Sequence, residues 1–262
     1  MIKPGAALVT GGAIRLGRAM ALALAEDGWD IAISWHSSAS DAEAVVTEIE
    51  ALGRRAVAVK ADLLSEDETA TLIDRAAKAL GAPLTCLVNN ASIFEHDDFE
   101  TATRDSWDRH LESNLRAPVH LTQKFAAQAP APIMDAAGEP VASACVINMI
   151  DQRVWKLTPA FMSYTIAKSG LWSFTRTAAQ ALAPRIRVNG IGPGPTLRGG
   201  RQTEEHFASQ RAATVLGRGS DPDDIVAAMR FLIASKAVTG QMIAVDGGQH
   251  LGWQTPDVIG VE

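Results

Sequence analysis

Tyr164 and Lys168 are the first residues in this chain whose types and spacing suggest chemistry. They end and begin the run Tyr164-Thr165-Ile166-Ala167-Lys168. On a helix, positions i and i+4 share a face, so a phenol and an ammonium can point into one site. The ammonium favours phenolate over phenol, which predicts a tyrosine pKa lowered toward neutrality, as suits a general acid. The chain has six Trp and seven Phe but a single Tyr, so no other phenol can take the part. Asp151 stands upstream, at the end of the apolar run 144–150, and brings a carboxylate to the same region.

A second constellation lies near the start. The run AALVT (6–10) leads into Thr10-Gly11-Gly12-Ala13-Ile14-Arg15-Leu16-Gly17 and then into a helical stretch. A glycine turn between strand and helix lets backbone approach a pyrophosphate, which the helix N-terminus attracts through its free N–H groups and its dipole. Gly11, Arg15 and Leu16 are therefore cofactor candidates, with Arg15 either facing phosphate or remaining a solvated surface arm. The run 30–35 ends in Ser34-Trp35-His36-Ser37-Ser38, with no acid before Asp41. An NAD site usually places a carboxylate there, for the ribose 2′-hydroxyl. Hydroxyls and a histidine can instead donate to a 2′-phosphate, so His36 and Ser37 predict NADP(H). Asp62 and Leu63 follow the run 55–60, where Asp62 suits an adenine amino group or simply starts a helix. Asn90 and Ala91 end the run 84–90, at the sheet edge where α/β ligands bind.

Behind these residues stands a regular alternation. Short apolar runs at 6–10, 30–35, 55–60, 84–90, 144–150, 186–192 and 241–247 are separated by amphipathic stretches. Strands buried on both faces read as continuous apolar runs, and strand–helix alternation implies a parallel sheet with right-handed crossovers. The expected architecture is α/β: one doubly wound, Rossmann-type domain over residues 1–262, with a seven-stranded parallel sheet flanked by helices. The Ala- and Pro-rich segment 129–140 reads as a surface loop. The long connection 194–220 reads as a substrate lid. Asp221-Pro222-Asp223-Asp224 after it reads as a helix start.

Composition narrows the classes. Of 262 residues, 47% are hydrophobic and 21% charged, which excludes a disordered chain, and the net charge of −6 argues against a nucleic-acid partner. Cys86 and Cys145 lie in apolar runs and offer neither a disulfide framework nor metal-ligand spacing, so no metal is expected. Neither a signal-peptide pattern nor a membrane-length apolar run occurs, which predicts a cytoplasmic protein with no membrane partner.

TGGAIRLG, the NNAS of 89–92, Asn114, the YTIAK motif, Pro193-Gly194 and the VDGG of 245–248 together resemble short-chain dehydrogenases/reductases, in order and spacing, over nearly the whole chain. The resemblance implies Tyr164 as proton donor and Lys168 as a nicotinamide-ribose ligand that tunes it. It implies that Asn114 holds a relay water, and that the cofactor touches the backbone at Asn89–Ala91 and Pro193–Gly194. It also implies a homotetramer.

One position departs from that family. The usual serine after the fifth strand is Asp151, and a carboxylate beside a developing alkoxide would hinder ketone reduction. Either Asp151 is protonated or the substrate has a group that donates to it, as an amino-bearing C=N heterocycle does. A third reading makes Asp151 a capping residue, with the serine's part lost or taken by Ser163. Asp151 is similar to the aspartate of pteridine reductases, including the dihydromonapterin reductases of bacteria. That branch implies catalytic Asp151, Tyr164, Lys168 and Asn114. It also implies pterin contacts from Arg15, Ser92 and Phe94, with Phe94 stacking the ring or only anchoring its loop. The usual basic residue after His36 is replaced by Ser37 and Ser38. The expected function is NADPH-dependent reduction of a pterin C=N bond. The rivals are a ketone or alcohol oxidoreductase and a non-catalytic NADP sensor.

Overall fold

A computed structural model describes residues 2–255 and 258. The strands are β1 (Ala6–Val9), β2 (Asp30–Trp35), β3 (Ala56–Lys60), β4 (Leu84–Asn89), β5 (Ile133–Met134), β6 (Pro140–Val141), β7 (Ala144–Met149), β8 (Ile186–Pro193) and β9 (Met242–Val245). Seven of them form one sheet in the order β3-β2-β1-β4-β7-β8-β9, with every pairing parallel.

Strand periodicity explains the layers. Ala7 and Val9 of β1, with Ile31 and Ile33 of β2, face a core shared with α1 (Arg15–Glu26), α2 (Ala39–Ala51) and α8 (Pro222–Ala234). Ala6, Leu8 and Ala32 point the other way, into a core with α3 (Glu66–Leu80), α5 (Ala117–Gln128) and α6 (Met162–Leu182). Successive residues alternate faces, and both faces are covered, so each central strand must be apolar throughout. Asp221 caps α8 as expected, in a capping box with Asp224.

One local expectation changes, and one helix carries an irregularity. Segment 129–140 contributes to a hairpin, because β5 and β6 pair antiparallel with Ile133 opposite Val141. Asp135 closes its turn by accepting from the N–H groups of Ala137 and Glu139 at 2.9 and 3.0 Å. The helix containing Asn114 is not uniform: α4 (Arg104–Leu111) joins α5 through a π-helical segment, Glu112–Arg116. Such bulges inside helices recur at functional sites. The connection 194–220 contains α7 (Glu204–Ala212), which buries no residue. Arg211 ties the two ends of this connection by donating to Pro195 O at 3.1 Å and Ser220 O at 2.5 Å.

Candidate active site

The chain runs from β1 outward to β3, then returns to β4 on the other side of β1, so the strand order reverses between β1 and β4. Ligands of open α/β sheets bind at such a switch point. A cleft of about 1220 Å³ opens there, beside a recess of about 260 Å³ that shares Gly11, His36, Ala91 and Ser92 with it. Gly11, Arg15, Leu16, His36, Ser37, Asn90, Ala91, Ser92, Phe94, Asp151, Tyr164, Lys168, Pro193 and Gly194 all line the cleft. Asp62 and Leu63 line the recess. Asn114 lines neither and is fully buried behind them.

At one end the cleft is made of backbone. Gly11 has φ +60°, and a Cβ on Gly17 would lie 2.1 Å from Gly11 O, so both positions require glycine. Thr10 Oγ1 accepts from the N–H groups of Asn90 and Ala91 at 2.9 and 3.0 Å, while Asn90 Nδ2 donates to Thr10 O at 2.8 Å. This clamp pins the glycine turn to the end of β4. Helices α3, α4 and α7 begin on Ser65, Thr103 and Thr203, whose hydroxyls accept from their first turns. Helix α1 has no side-chain cap and no acid in its first turn. Its N–H groups are thus left for an anion, which is what a dinucleotide pyrophosphate requires. Exposed His36 stands 3.7 Å from Asp62. Exposed Arg15 donates to the carbonyls of Leu197 and Arg198 at 3.1 and 2.8 Å, so it grips the 194–220 connection.

At the other end the cleft is made of side chains. Tyr164 sits in the first turn of α6, 5% exposed, and its hydroxyl donates to Asp151 Oδ2 at 2.9 Å. Asp151 Oδ1 accepts from the N–H of Arg153 at 2.8 Å, so this carboxylate both caps a short turn and meets the phenol. Lys168, one turn farther along α6 and 2% exposed, donates to Met149 O at 2.7 Å. Ser163 is fully buried and bonded to Asp97 and His110, so it cannot replace the missing serine.

The electrostatics correct one expectation. The tyrosine pKa does not fall toward neutrality. Burial pushes it well above its ordinary value, and the charge and hydrogen bond of Asp151 push it further, against smaller opposition from Arg153 and Ser92. Burial also raises the Asp151 carboxyl, partly offset by the Arg153 N–H and the Tyr164 hydroxyl. Burial lowers Lys168 to about 8, although Asp151 pulls it upward.

Asn114 lies in the π-helical segment, and its side-chain amide bonds both backbone groups of Ile93, accepting at 2.9 Å and donating at 2.8 Å. It thereby holds the strand exit that carries Phe94. Phe94 is 44% exposed, stacks on Phe161 at 4.3 Å and meets the edge of Tyr164 at 4.7 Å. The Arg153 guanidinium lies 4.9 Å from the Phe161 ring centre and 5.9 Å from that of Phe94. Arg201, from the 194–220 connection, donates to Phe94 O. Sequence reasoning missed Phe161, Arg153 and Arg201, which no motif contains. It also passed over Thr10, which stands inside the glycine motif itself.

Comparison with known proteins agrees with this fold. A family model described as enoyl-(acyl carrier protein) reductase matches residues 12–250. FolM alternative dihydrofolate reductase 1 from Brucella canis, solved with NADP, is 42% identical with a TM-score of 0.90, covering 98% of each chain. The 3-oxoacyl-[acyl-carrier-protein] reductase FabG of Staphylococcus aureus is 31% identical over 250 residues, 94% of this chain and 98% of that one. The landomycin C-6 ketoreductase LanV, solved with NADP and rabelomycin, is 27% identical with a TM-score of 0.83, covering 96% and 98%.

Proposed function

The chain belongs to the short-chain dehydrogenase/reductase family, and on that premise we propose that it is an NADPH-dependent reductase of a pterin C=N bond, of the dihydropteridine-to-tetrahydropteridine type. The observation that carries this reading is the 2.9 Å bond from Tyr164 to a half-buried carboxylate, Asp151, where a carbonyl reductase needs a neutral donor. The FolM neighbour supports it, being named a dihydrofolate reductase.

The residues at the glycine end fit the cofactor, because α1 is uncapped and the turn has no room for side chains. Gly11, Leu16, Asn90, Ala91, Pro193 and Gly194 would surround it. Asp62 and Leu63 would flank the adenine, and His36 and Ser37 the 2′-phosphate. When bound, NADPH supplies the hydride. Tyr164 gives its proton to the ring nitrogen next to the carbon that is reduced. A high phenol pKa keeps that proton in place until the nitrogen demands it. Asp151, itself raised by burial, is placed to accept from ring amino groups and to pass a proton taken up from solvent to the phenolate. Lys168 steadies the developing phenolate and would hold the nicotinamide ribose. Phe94 offers the ring a stacking face, with Ser92 and Arg15 at its rim, and Asn114 keeps that face in place. We further propose a cytoplasmic homotetramer in which residues 194–220 close over the substrate.

The test is NADPH oxidation with 7,8-dihydrobiopterin or dihydromonapterin, set against a simple ketone. We expect turnover of the pterin, and we expect Asp151→Ser to lose it while keeping or gaining ketone activity. The FabG and LanV relatives keep carbonyl reduction as the second reading, and ketone turnover with no pterin turnover would decide for it.

A further inference from the structure

Behind Tyr164, away from the cleft, three buried polar side chains form a chain that the reading above leaves unused. Asp97 is 1% exposed, and Ser163 and His110 are fully buried. They come from three places: the loop after β4, the first turn of α6, and α4. The N–H of Glu95 donates to His110 Nε2 at 3.1 Å, so the ring proton lies on Nδ1 and is donated to Ser163 Oγ at 2.7 Å. The Ser163 hydroxyl donates in turn to Asp97 Oδ2. The Ser163 N–H reaches Oδ1 at 3.2 Å, and the Ser106 hydroxyl reaches Oδ2 at 3.1 Å. Burial pushes the Asp97 carboxyl up, but these donors outweigh it and leave it below the usual range. Burial lowers His110 and keeps the ring neutral.

The same residues govern two walls of the cleft. Asp97 O accepts from Phe161 N at 2.6 Å and from Met162 N at 3.3 Å, where the chain enters α6. Phe161 has φ +60°, a conformation that is strained for a bulky side chain and persists only when its surroundings hold it. On the other wall, Ile93 and Glu95 flank Phe94. Asn114 grips Ile93, and Arg109 grips the Glu95 carboxylate at 2.8 and 3.2 Å. Asp97 therefore belongs to the loop that carries Phe94 and also caps the helix that carries Tyr164.

We propose that Asp97, acting through Ser163 and His110, is a positioning residue that sets the slot between the Phe94 ring and the Tyr164 hydroxyl. This rests on reading Tyr164 as the proton donor, but the first measurement needs no turnover. The charged or titratable groups facing Tyr164 are Asp151, Arg153, Lys168 and the His110 ring. Ser163→Ala changes none of their charges. It breaks the link between Asp97 and His110, loosens the start of α6, and weakens the Tyr164–Asp151 bond. The tyrosinate absorbance of the single tyrosine should then titrate about one pH unit lower, or more, than in the parent. The kcat for a dihydropterin should fall about 10- to 100-fold, because misplacing a reacting group by about 1 Å costs that much, while NADPH affinity stays unchanged. The double variant Asp97→Asn/Ser163→Ala should lose no more than the worse single variant. Leu72→Ala, in the core beneath α3, is the control for destabilisation alone. An unmoved tyrosinate midpoint in Ser163→Ala overturns the proposal, as does a loss of kcat no greater than that of Leu72→Ala. Should Ser163→Ala not fold, His110→Gln breaks the same chain from α4 and carries the same expectations. If the parent turns over no pterin, the functional reading falls and the tyrosinate comparison still decides this one.

Discussion

At the glycine turn the groups facing the cleft are backbone N–H donors, held by tight turns and by the Thr10–Asn90 clamp. At Tyr164 they are ionisable side chains, largely withdrawn from solvent and displaced from their ordinary pKa values in opposite directions. The first end is a fixed backbone shape whose uncapped N–H groups suit an anion. The second stores an electrostatic conflict among a phenol, a carboxylate and an ammonium. Substitutions at the two ends should therefore fail in different ways.

The largest effect is expected from Tyr164→Phe. Loss of the only phenol should lower kcat by about 10²–10⁴-fold, the usual range for a general acid. NADPH binding, followed by fluorescence titration, should not change, because the hydroxyl contacts Asp151 rather than the glycine end. A parallel loss of NADPH affinity would show that the two ends are not separable. Gly17→Ala is the converse. Its Cβ would meet backbone at Gly11 O, which cannot swing away, so overpacking should cost about 1–3 kcal/mol of stability. NADPH affinity should fall with it, while the tyrosinate titration of Tyr164 stays where it is. A thermal melt with and without NADPH checks this, and an unchanged melting temperature would count against the tightness of the turn.

The same division governs how much was legible from the sequence. The glycine end could be read because Thr10 to Gly17 is contiguous and its partners stand at strand ends, where a parallel sheet must place them. The seven sheet strands were legible for the same reason, since two-sided burial imposes apolar runs. The β5–β6 hairpin was not, because two-residue strands leave no periodicity and only the Asp135–Gly138 turn marks it. Tyr164 and Lys168 were legible as a pair on one helix face. The direction of the Tyr164 pKa was not, since spacing reveals the ammonium but not the burial that overrides it. Phe161 stacks on Phe94, and Asp97 bonds Ser163, across separations of more than sixty residues. Contacts of that kind are set by the tertiary fold and leave no local signature.

The smallest expected effect tests the stored conflict most directly. Lys168 has a pKa of about 8 in the fold against an ordinary value of 10.5. Below pH 8 both folded and unfolded chains carry the proton, so the folded state bears the full cost of a buried ammonium. Between about 8 and 10.5 the unfolded chain binds a proton that the folded chain does not, and stability rises with pH. Lys168→Met removes the group, so at pH 7 the variant should be the more stable protein although it is inactive. The pKa difference corresponds to about 3 kcal/mol at most, at about 1.4 kcal/mol per unit. Leaving Met149 O without its donor takes back about 1 kcal/mol. The net gain should thus be about 1–2 kcal/mol at pH 7, shrinking toward zero or below as pH nears 10.5. Urea unfolding of both proteins at pH 7 and pH 10 measures it. A variant less stable than the parent at pH 7 would mean that the bonds to Met149 O and the charge of Asp151 outweigh burial. The ammonium would then be part of the scaffold, as the glycine turn is, and not a group held in readiness at the expense of stability.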